Sequence, residues 1–297
     1  MKVGLIPVNI GIPSVEPMVQ LAQKAEQVGI ESLWTFEHVI VPVDYKSKYP
    51  YSADGKMGVT PETNFVDPLI ALTAIAGATK RVRLGTGVNI LSQTNPLYLA
   101  KQAASLDFVS RGRLMLGLGI GWLREEFDAV GTPFERRGAR FDDYVVAMRK
   151  AWSGDVVEHK SNFVNWTGFK TYPLPVQKSA LAKNKPSVPI VIGGAKGKAF
   201  ERIAKYGDGW YSPTANVTQL EPMLKELANA CAKFGRDPKS VEISCMWIPA
   251  LEGVDVVKRY ADLGVSRLIV PIMAFGAPPY DVAVEKFANE WLPKITR

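Results

Sequence analysis

The sequence predicts an α/β fold, a single-domain (β/α)8 TIM barrel over residues 1–297, from three observations. Short apolar runs alternate with helical stretches eight times, the number of strand-helix units that closes a parallel barrel. No break in composition marks a second domain. The 297 residues, 47% hydrophobic and 22% charged, supply apolar surface for one large core.

The first unit pairs "KVGLIPV" with a helix over 15–28, ended by Gly29. "SLWTF" leads to a helix over 66–79. "VRLGTGVNIL" leads to one over 96–108, where "NP" at 95–96 puts proline in the first turn. Residues 107–112 close that helix before "RLMLGLGI", whose helix lies near 140–152. Then come "VPIVIGG" with 199–206, "GWYSP" with 219–234, "VEISCMWI" with 255–263 and "SRLIVPI" with 282–291. Two excursions exceed ordinary connections, 39–65 after strand two and 155–187 before strand five. The first leaves a strand's C-terminal end and therefore sits on the active face. Its Tyr45, Tyr49 and Tyr51 make it a candidate lid or substrate wall. The second, carrying "VVEHKSNFVNWTGF" and "YPLP", predicts a small hairpin and crossover outside the barrel.

Composition narrows the function classes. No apolar stretch reaches the ~18 residues of a membrane span, and the N-terminus reads as a strand with no signal-peptide plan, so the expectation is a cytoplasmic protein without a membrane partner. Cys231 and Cys245 show no C-x-x-C spacing, and His38 and His159 are the two histidines, which argues against a Cys/His metal site. Both cysteines read as buried apolar fillers. The net charge is +7, and residues 178–205 carry Lys178, Lys183, Lys185, Lys196, Lys198, Arg202 and Lys205 against Glu201. Such a patch either attracts a polyanion or is a solvated loop and helix face. It lacks interleaved aromatics and a recognition motif, so nucleic acid is not an expected partner.

The stretch "GRLMLGLGIGW" alternates Gly117, Gly119 and Gly121. It fails the dinucleotide fingerprint, whose third glycine would fall at Trp122 or Arg124. With Leu114, Leu116, Leu118 and Ile120 between them, the glycines read as the edge of a buried strand that backbone or ligand approaches closely. Strand ends select Glu37 and His38, Asn89, Gly121 with Trp122, and Gly193-Gly194-Ala195. His38 is either a proton-transfer or ligand-binding imidazole or a satisfied structural one. Metal-ligand spacing, a Ser-His-Asp order, a nucleophile elbow and a strand lysine are all missing there, which is the pattern a borrowed cofactor leaves. Gly193-Gly194, just before a helix and beside Lys196 and Lys198, suit a phosphate or form a simple turn. Gly85 to Val88 interrupt strand three as a bulge or as a close approach to a planar ligand.

In these residues the sequence resembles the bacterial-luciferase-like flavin and deazaflavin oxidoreductases. The matching stretches are "WTFEH" at 34–38, "VRLGTGV" at 82–88, "NPLYLAKQAASLDFVSRGR" at 95–113, "GLGIGWLREEF" at 117–127, "GTPFERRG" at 131–138, and "PIVIGG" followed by "GDGW" at 207–210. The resemblance covers nearly the whole chain and is greatest to the branch using coenzyme F-420. It implies a non-prolyl cis peptide at Gly87-Val88 behind the cofactor's central ring, with Glu37 and His38 facing ring or substrate. It also implies that Ile120, Gly121 and Trp122 form the cofactor-facing edge, with the glycines as a backbone platform. Gly193, Gly194 and Ala195, with Lys196 and Lys198, would then hold the anionic tail. Pro42 and Trp122 stand where some deazaflavin dehydrogenases carry tryptophan and glutamate, so a sugar-phosphate dehydrogenase is not implied. The leading expectation is hydride transfer between F-420 and a small organic substrate. The alternatives are an FMN-dependent monooxygenase and a non-catalytic flavin-binding protein. A homodimer is the family expectation.

Overall fold

The computed structural model describes residues 1–276 and 279–295; Ala277, Pro278, Thr296 and Arg297 of the expected span lie outside the described residues. Strands β1 (Lys2–Ile6), β2 (Ser32–Thr35), β3 (Arg83–Thr86), β4 (Asn89–Ile90), β5 (Leu114–Gly119), β6 (Val157–Lys160), β7 (Asn165–Phe169), β8 (Ile190–Gly193), β9 (Gly209–Ser212), β10 (Glu242–Met246) and β11 (Val265–Pro271) follow in chain order. All but β6 and β7 join in one parallel sheet ordered β3-β2-β1-β11-β10-β9-β8-β5-β4. β5 also pairs back to β3, through Leu84 opposite Leu114, which closes the ring. The strand expected over 82–91 is β3 plus β4, broken at Gly87 and Val88, so the barrel has its eight staves. β6 and β7 form the expected antiparallel hairpin outside it.

Helices α1 (Val15–Gln27), α2 (Pro68–Ala78), α3 (Pro96–Val109), α4 (Arg124–Ala129), α5 (Arg137–Trp152), α6 (Ala199–Tyr206), α7 (Val217–Lys233), α8 (Pro249–Glu252), α9 (Val256–Asp262) and α10 (Tyr280–Ile295) ring the sheet. Local chemistry sets their ends. Asp67 Oδ1 accepts from the N–H groups of Leu69 and Ile70, and Asn95 Oδ1 from those of Leu97 and Tyr98, satisfying donors left free at the starts of α2 and α3. Arg113 closes the other end of α2 by donating to the carbonyls of Ala76 and Thr79. The short helices α4 and α8 were not expected. Each is too brief for a periodic apolar pattern, and α4 carries Glu126 to the strand-two end.

The barrel interior is filled in layers. At its N-terminal end Arg267, fully buried, donates to both Glu31 oxygens at 2.6 and 2.7 Å, to Glu242 at 3.1 Å and to Ser244 at 2.9 Å. Above it Ile6, Trp34, Met115, Val191, Tyr211 and Ile269 form an apolar plug. Gly85 makes room for this plug, because a Cβ there would stand 2.4 Å from the Trp34 indole. Its close approach is thus to the protein's own ring system. Cys231 and Cys245 are free and buried, as expected of apolar fillers.

Candidate active site at the barrel mouth

Parallel strands deliver their last residues to one face, and the excursion 39–65 covers part of it. Beyond β2 the chain is gripped by Asn9, absent from the expected site, which is buried and spans Phe36 N–H, Phe36 C=O and Val66 C=O at 2.7–3.0 Å. Glu37 then turns to β4. Its carboxyl accepts from Asn89 Nδ2 at 2.5 Å and from Ile90 N–H, bridging the strand-two end to the far side of the bulge. Desolvation pushes this carboxyl up to about 7 against those hydrogen bonds, with the Glu126 and Asp67 charges pushing the same way.

His38 meets a residue the sequence reading did not select. Its Nδ1 lies 3.3 Å from both Glu126 oxygens, and Glu126 Oε1 also accepts from Val39 N–H at 2.6 Å. Glu126 comes from α4, whose first turn clasps the excursion. Glu125 Oε1 accepts from Lys46 N–H at 2.7 Å and Ser47 N–H at 3.2 Å, while Arg124 N–H donates to Ser47 Oγ. Although desolvation opposes it, the Ser47 hydroxyl and these amides bring the Glu125 carboxyl down to about 2. The one available signal was "REEF" shortly past the glycine edge, where acids favour a helix start.

Trp122 is the hub of an aromatic wall. Its ring centroid lies 5.2 Å from Tyr49, 6.0 Å from Tyr45 and 5.9 Å from His38, all edge-on, and Phe65 meets His38 at 5.6 Å. Tyr51 packs on Tyr49. The tyrosines of the excursion therefore do gather at the mouth, together with His38.

The peptide Gly87-Val88 is cis, as the resemblance implied. The alternating glycines, however, seat this bulge. A Cβ on Gly117 would strike the Thr86 carbonyl oxygen at 1.6 Å, and one on Gly119 would come within 2.7 Å of a Val88 methyl. One on Gly193 would reach another Val88 methyl at 3.0 Å. Gly121, at φ +77°, packs under Phe127 and Ile90. The expected platform for a tricyclic ring is corrected on this point: the space over Gly117 and Gly119 belongs to strand three of the same chain. Ile120, Gly121 and Trp122 stay half-buried at the strand-five end. Tyr211, 6% exposed, lies against Gly87, and among the described residues neither its hydroxyl nor Asn89 Oδ1 finds a partner.

After β8, Gly194 adopts φ +111° and its carbonyl accepts from Trp210 Nε1 at 2.8 Å. Ala195 is half-buried, and Lys196 and Lys198 are exposed around it. The rest of the basic patch disperses. Lys178, Lys183 and Lys185 precede β8 and so belong to the opposite end of the barrel, where Arg149 meets Asp208 at 3.0 Å. Lys185 pairs with Asp155, and buried Arg202 with Asp142 at 2.6 Å. Chain proximity had grouped charges that strand direction separates. Arg137, which sequence pattern did not single out, donates to the Gly121 carbonyl at 3.1 Å and stacks over Phe134. Among the described residues no three His, Cys, Asp or Glu side chains gather as a metal site.

A profile described as luciferase-like monooxygenase matches residues 5–261. An uncharacterized protein of Mycobacterium tuberculosis is 32% identical over 260 residues, 86% of each chain. The F420-dependent glucose-6-phosphate dehydrogenase of Amycolatopsis mediterranei is 28% identical over 238 residues, 76% of this chain and 63% of the relative. Among solved structures, the monooxygenase RslO1 from Streptomyces bottropensis superposes with a TM-score of 0.75 at 22% identity over 99% of both chains. The profile match runs from β1 through the Glu37-His38 strand end, the cis bulge it clamps, the glycine edge and the turn after β8. On that continuity the chain belongs to the luciferase-like monooxygenase family of enzymes.

Proposed function

We propose that the barrel mouth binds coenzyme F-420 and that the enzyme moves a hydride between this deazaflavin and a small organic substrate. The observation that carries the reading is the chemistry of the mouth: a carboxyl near neutral pKa, an imidazole tied to a carboxylate, and an aromatic wall without a nucleophile. Of these the imidazole can orient a substrate and move a proton, and the reading takes the electrons from a bound carrier. A flavin-type ring fits the residues present, because Tyr211 Oη and Asn89 Oδ1 beside the bulge are hydrogen-bonding groups with no partner among the described residues.

In this reading Gly87, Val88, Ile120, Gly121 and Trp122 border the ring, and Gly193, Gly194, Ala195, Lys196 and Lys198 take the anionic tail. When bound, the cofactor supplies the two-electron carrier. His38 holds or accepts a proton beside the substrate, and Glu37 keeps the bulge in place through Asn89 and Ile90. Trp122, Tyr45, Tyr49 and Phe65 exclude water from the reacting groups. A relative named as F420-dependent and two exposed lysines at the turn favour the deazaflavin. The family's description as monooxygenase favours a second reading, in which the carrier is FMN and oxygen is consumed.

Equilibrium titration with F-420 and with FMN at several salt concentrations tests the choice. F-420 binds more tightly and weakens more steeply with salt, since exposed charges are screened over ~10 Å at 0.1 M. A Lys196→Ala/Lys198→Ala variant loses roughly two- to tenfold in F-420 affinity and less for FMN. Tighter FMN binding, or equal salt slopes, overturns the deazaflavin reading, and oxygen uptake during turnover then supports the monooxygenase.

A further inference from the structure

We infer that Glu126 is the positioning residue of His38: it accepts a hydrogen bond from Nδ1–H of the neutral imidazole and so presents Nε2, as an acceptor, to the barrel mouth. The inference deepens the proposed function, since it concerns the imidazole that reading places beside the substrate.

The geometry leaves little choice of tautomer. A carboxylate is an acceptor without a proton to give, and both Glu126 oxygens lie 3.3 Å from Nδ1. A neutral ring protonated on Nε2 would turn its Nδ1 lone pair towards that carboxylate, an unfavourable contact at low exposure. The Glu126 side chain is only 2% exposed, so water does not take over this contact. Nor does the carboxylate swing away, because Oε1 also accepts from Val39 N–H at 2.6 Å and Ile40 N–H at 3.4 Å, the residues that directly follow His38. The imidazole and the carboxylate that orients it are thus pinned to the same stretch of backbone. Phe65 and Trp122 meet the ring edge-on at 5.6 and 5.9 Å and limit its rotation. Nε2 has no hydrogen-bond partner among the described residues, and it is not among their buried unpaired atoms, so it stays accessible. The neighbouring Glu37 carboxyl is committed to Asn89 and Ile90. An acceptor held this way is what proton abstraction from an alcohol, or a hydrogen bond to a substrate hydroxyl, requires.

Nitrogen-15 NMR of the cofactor-free protein reads the tautomer directly. With two histidines in the chain, a His159→Gln variant assigns the remaining ring to His38. At a pH where the ring is neutral, the expected spectrum shows His38 protonated on Nδ1. Glu126→Gln keeps an oxygen for Val39 N–H but offers an amide N–H to Nδ1, so the proton moves to Nε2. That shift is one a purely structural tie between α4 and the excursion would not produce. With F-420 loaded, the same variant slows single-turnover oxidation of a secondary alcohol by ~10–100-fold while cofactor affinity stays near wild type. A wild-type ring protonated on Nε2, or an unchanged nitrogen pattern in Glu126→Gln, overturns the inference. The wild-type spectrum decides even where the variant does not fold. An expected tautomer in a protein that binds no F-420 upholds the role of Glu126 and sinks the deazaflavin reading instead.

Discussion

At the scale of single residues, Glu37 is the side chain whose ionisation the fold alters most consequentially at neutral pH. Its carboxyl moves from an ordinary 4.5 to about 7. Between those values the folded chain holds the proton more tightly than the unfolded one, so the stability owed to Glu37 is complete below about 4.5 and is lost as pH rises through about 7. The size is on the order of 3 kcal/mol at most. Glu37→Gln removes this slope. The variant keeps its tie to β4 if the Asn89 amide turns over, since Asn89 Oδ1 is the unpaired atom available to a new N–H donor. Urea unfolding at pH 5 and pH 8 checks it: wild type is the less stable at pH 8, and the pH difference shrinks in Glu37→Gln. An equal pH difference in both proteins counts against the burial of this carboxyl.

At the scale of elements, the mouth depends on how strand three breaks and what receives the break. The bulge inserts the Thr86 carbonyl over Gly117 and the Val88 methyls over Gly119 and Gly193. A side chain added at Gly117, Gly119 or Gly193 therefore meets Thr86 or Val88 of the broken strand rather than solvent. Gly119→Ala is expected to destabilise by ~1–3 kcal/mol, because its new methyl falls 2.7 Å from a Val88 methyl. Val88→Ala in the same chain relieves most of that cost, so the two substitutions are strongly non-additive in a double-mutant cycle. Additive losses would mean that the glycine serves some other neighbour.

For the whole molecule, the two ends of the barrel do different work. The C-terminal end carries the half-buried polar groups and aromatic wall of the mouth. The N-terminal end is sealed by Arg267 with Glu31, Glu242 and Ser244. There Glu31 is held below the usual carboxylate range; desolvation opposes this, and the Arg267 guanidinium outweighs it. Arg267→Ala opens a buried void and leaves Glu31 without its guanidinium, while Glu242 keeps Lys2; the loss costs ~3–5 kcal/mol. The thermal midpoint should fall by roughly 5–10 °C, while cofactor affinity measured well below the transition stays near wild type. A loss of affinity without a loss of stability would show that the two ends are coupled.

What the sequence by itself determined is what neighbouring residues can encode. Eight alternations of apolar run and helix specify the barrel. Asn95-Pro96 marks a helix start, and strand-end positions bring Glu37, His38 and Trp122 to one face. The glycine edge was legible as a place of close approach, but its occupant was not, since Val88 arrives from another strand. Glu126 stands 88 positions from His38, and Arg267 stands 236 from Glu31. No local periodicity reports such a pair, because each contact exists only once the ring of strands has closed. The same closure decided the charge patch: Lys185 and Lys196 are near in sequence, yet a strand runs between them and carries them to opposite ends of the barrel. Pattern along the chain sets which elements form, and closure of the barrel sets which side chains meet, because a hydrogen bond depends on distance in space.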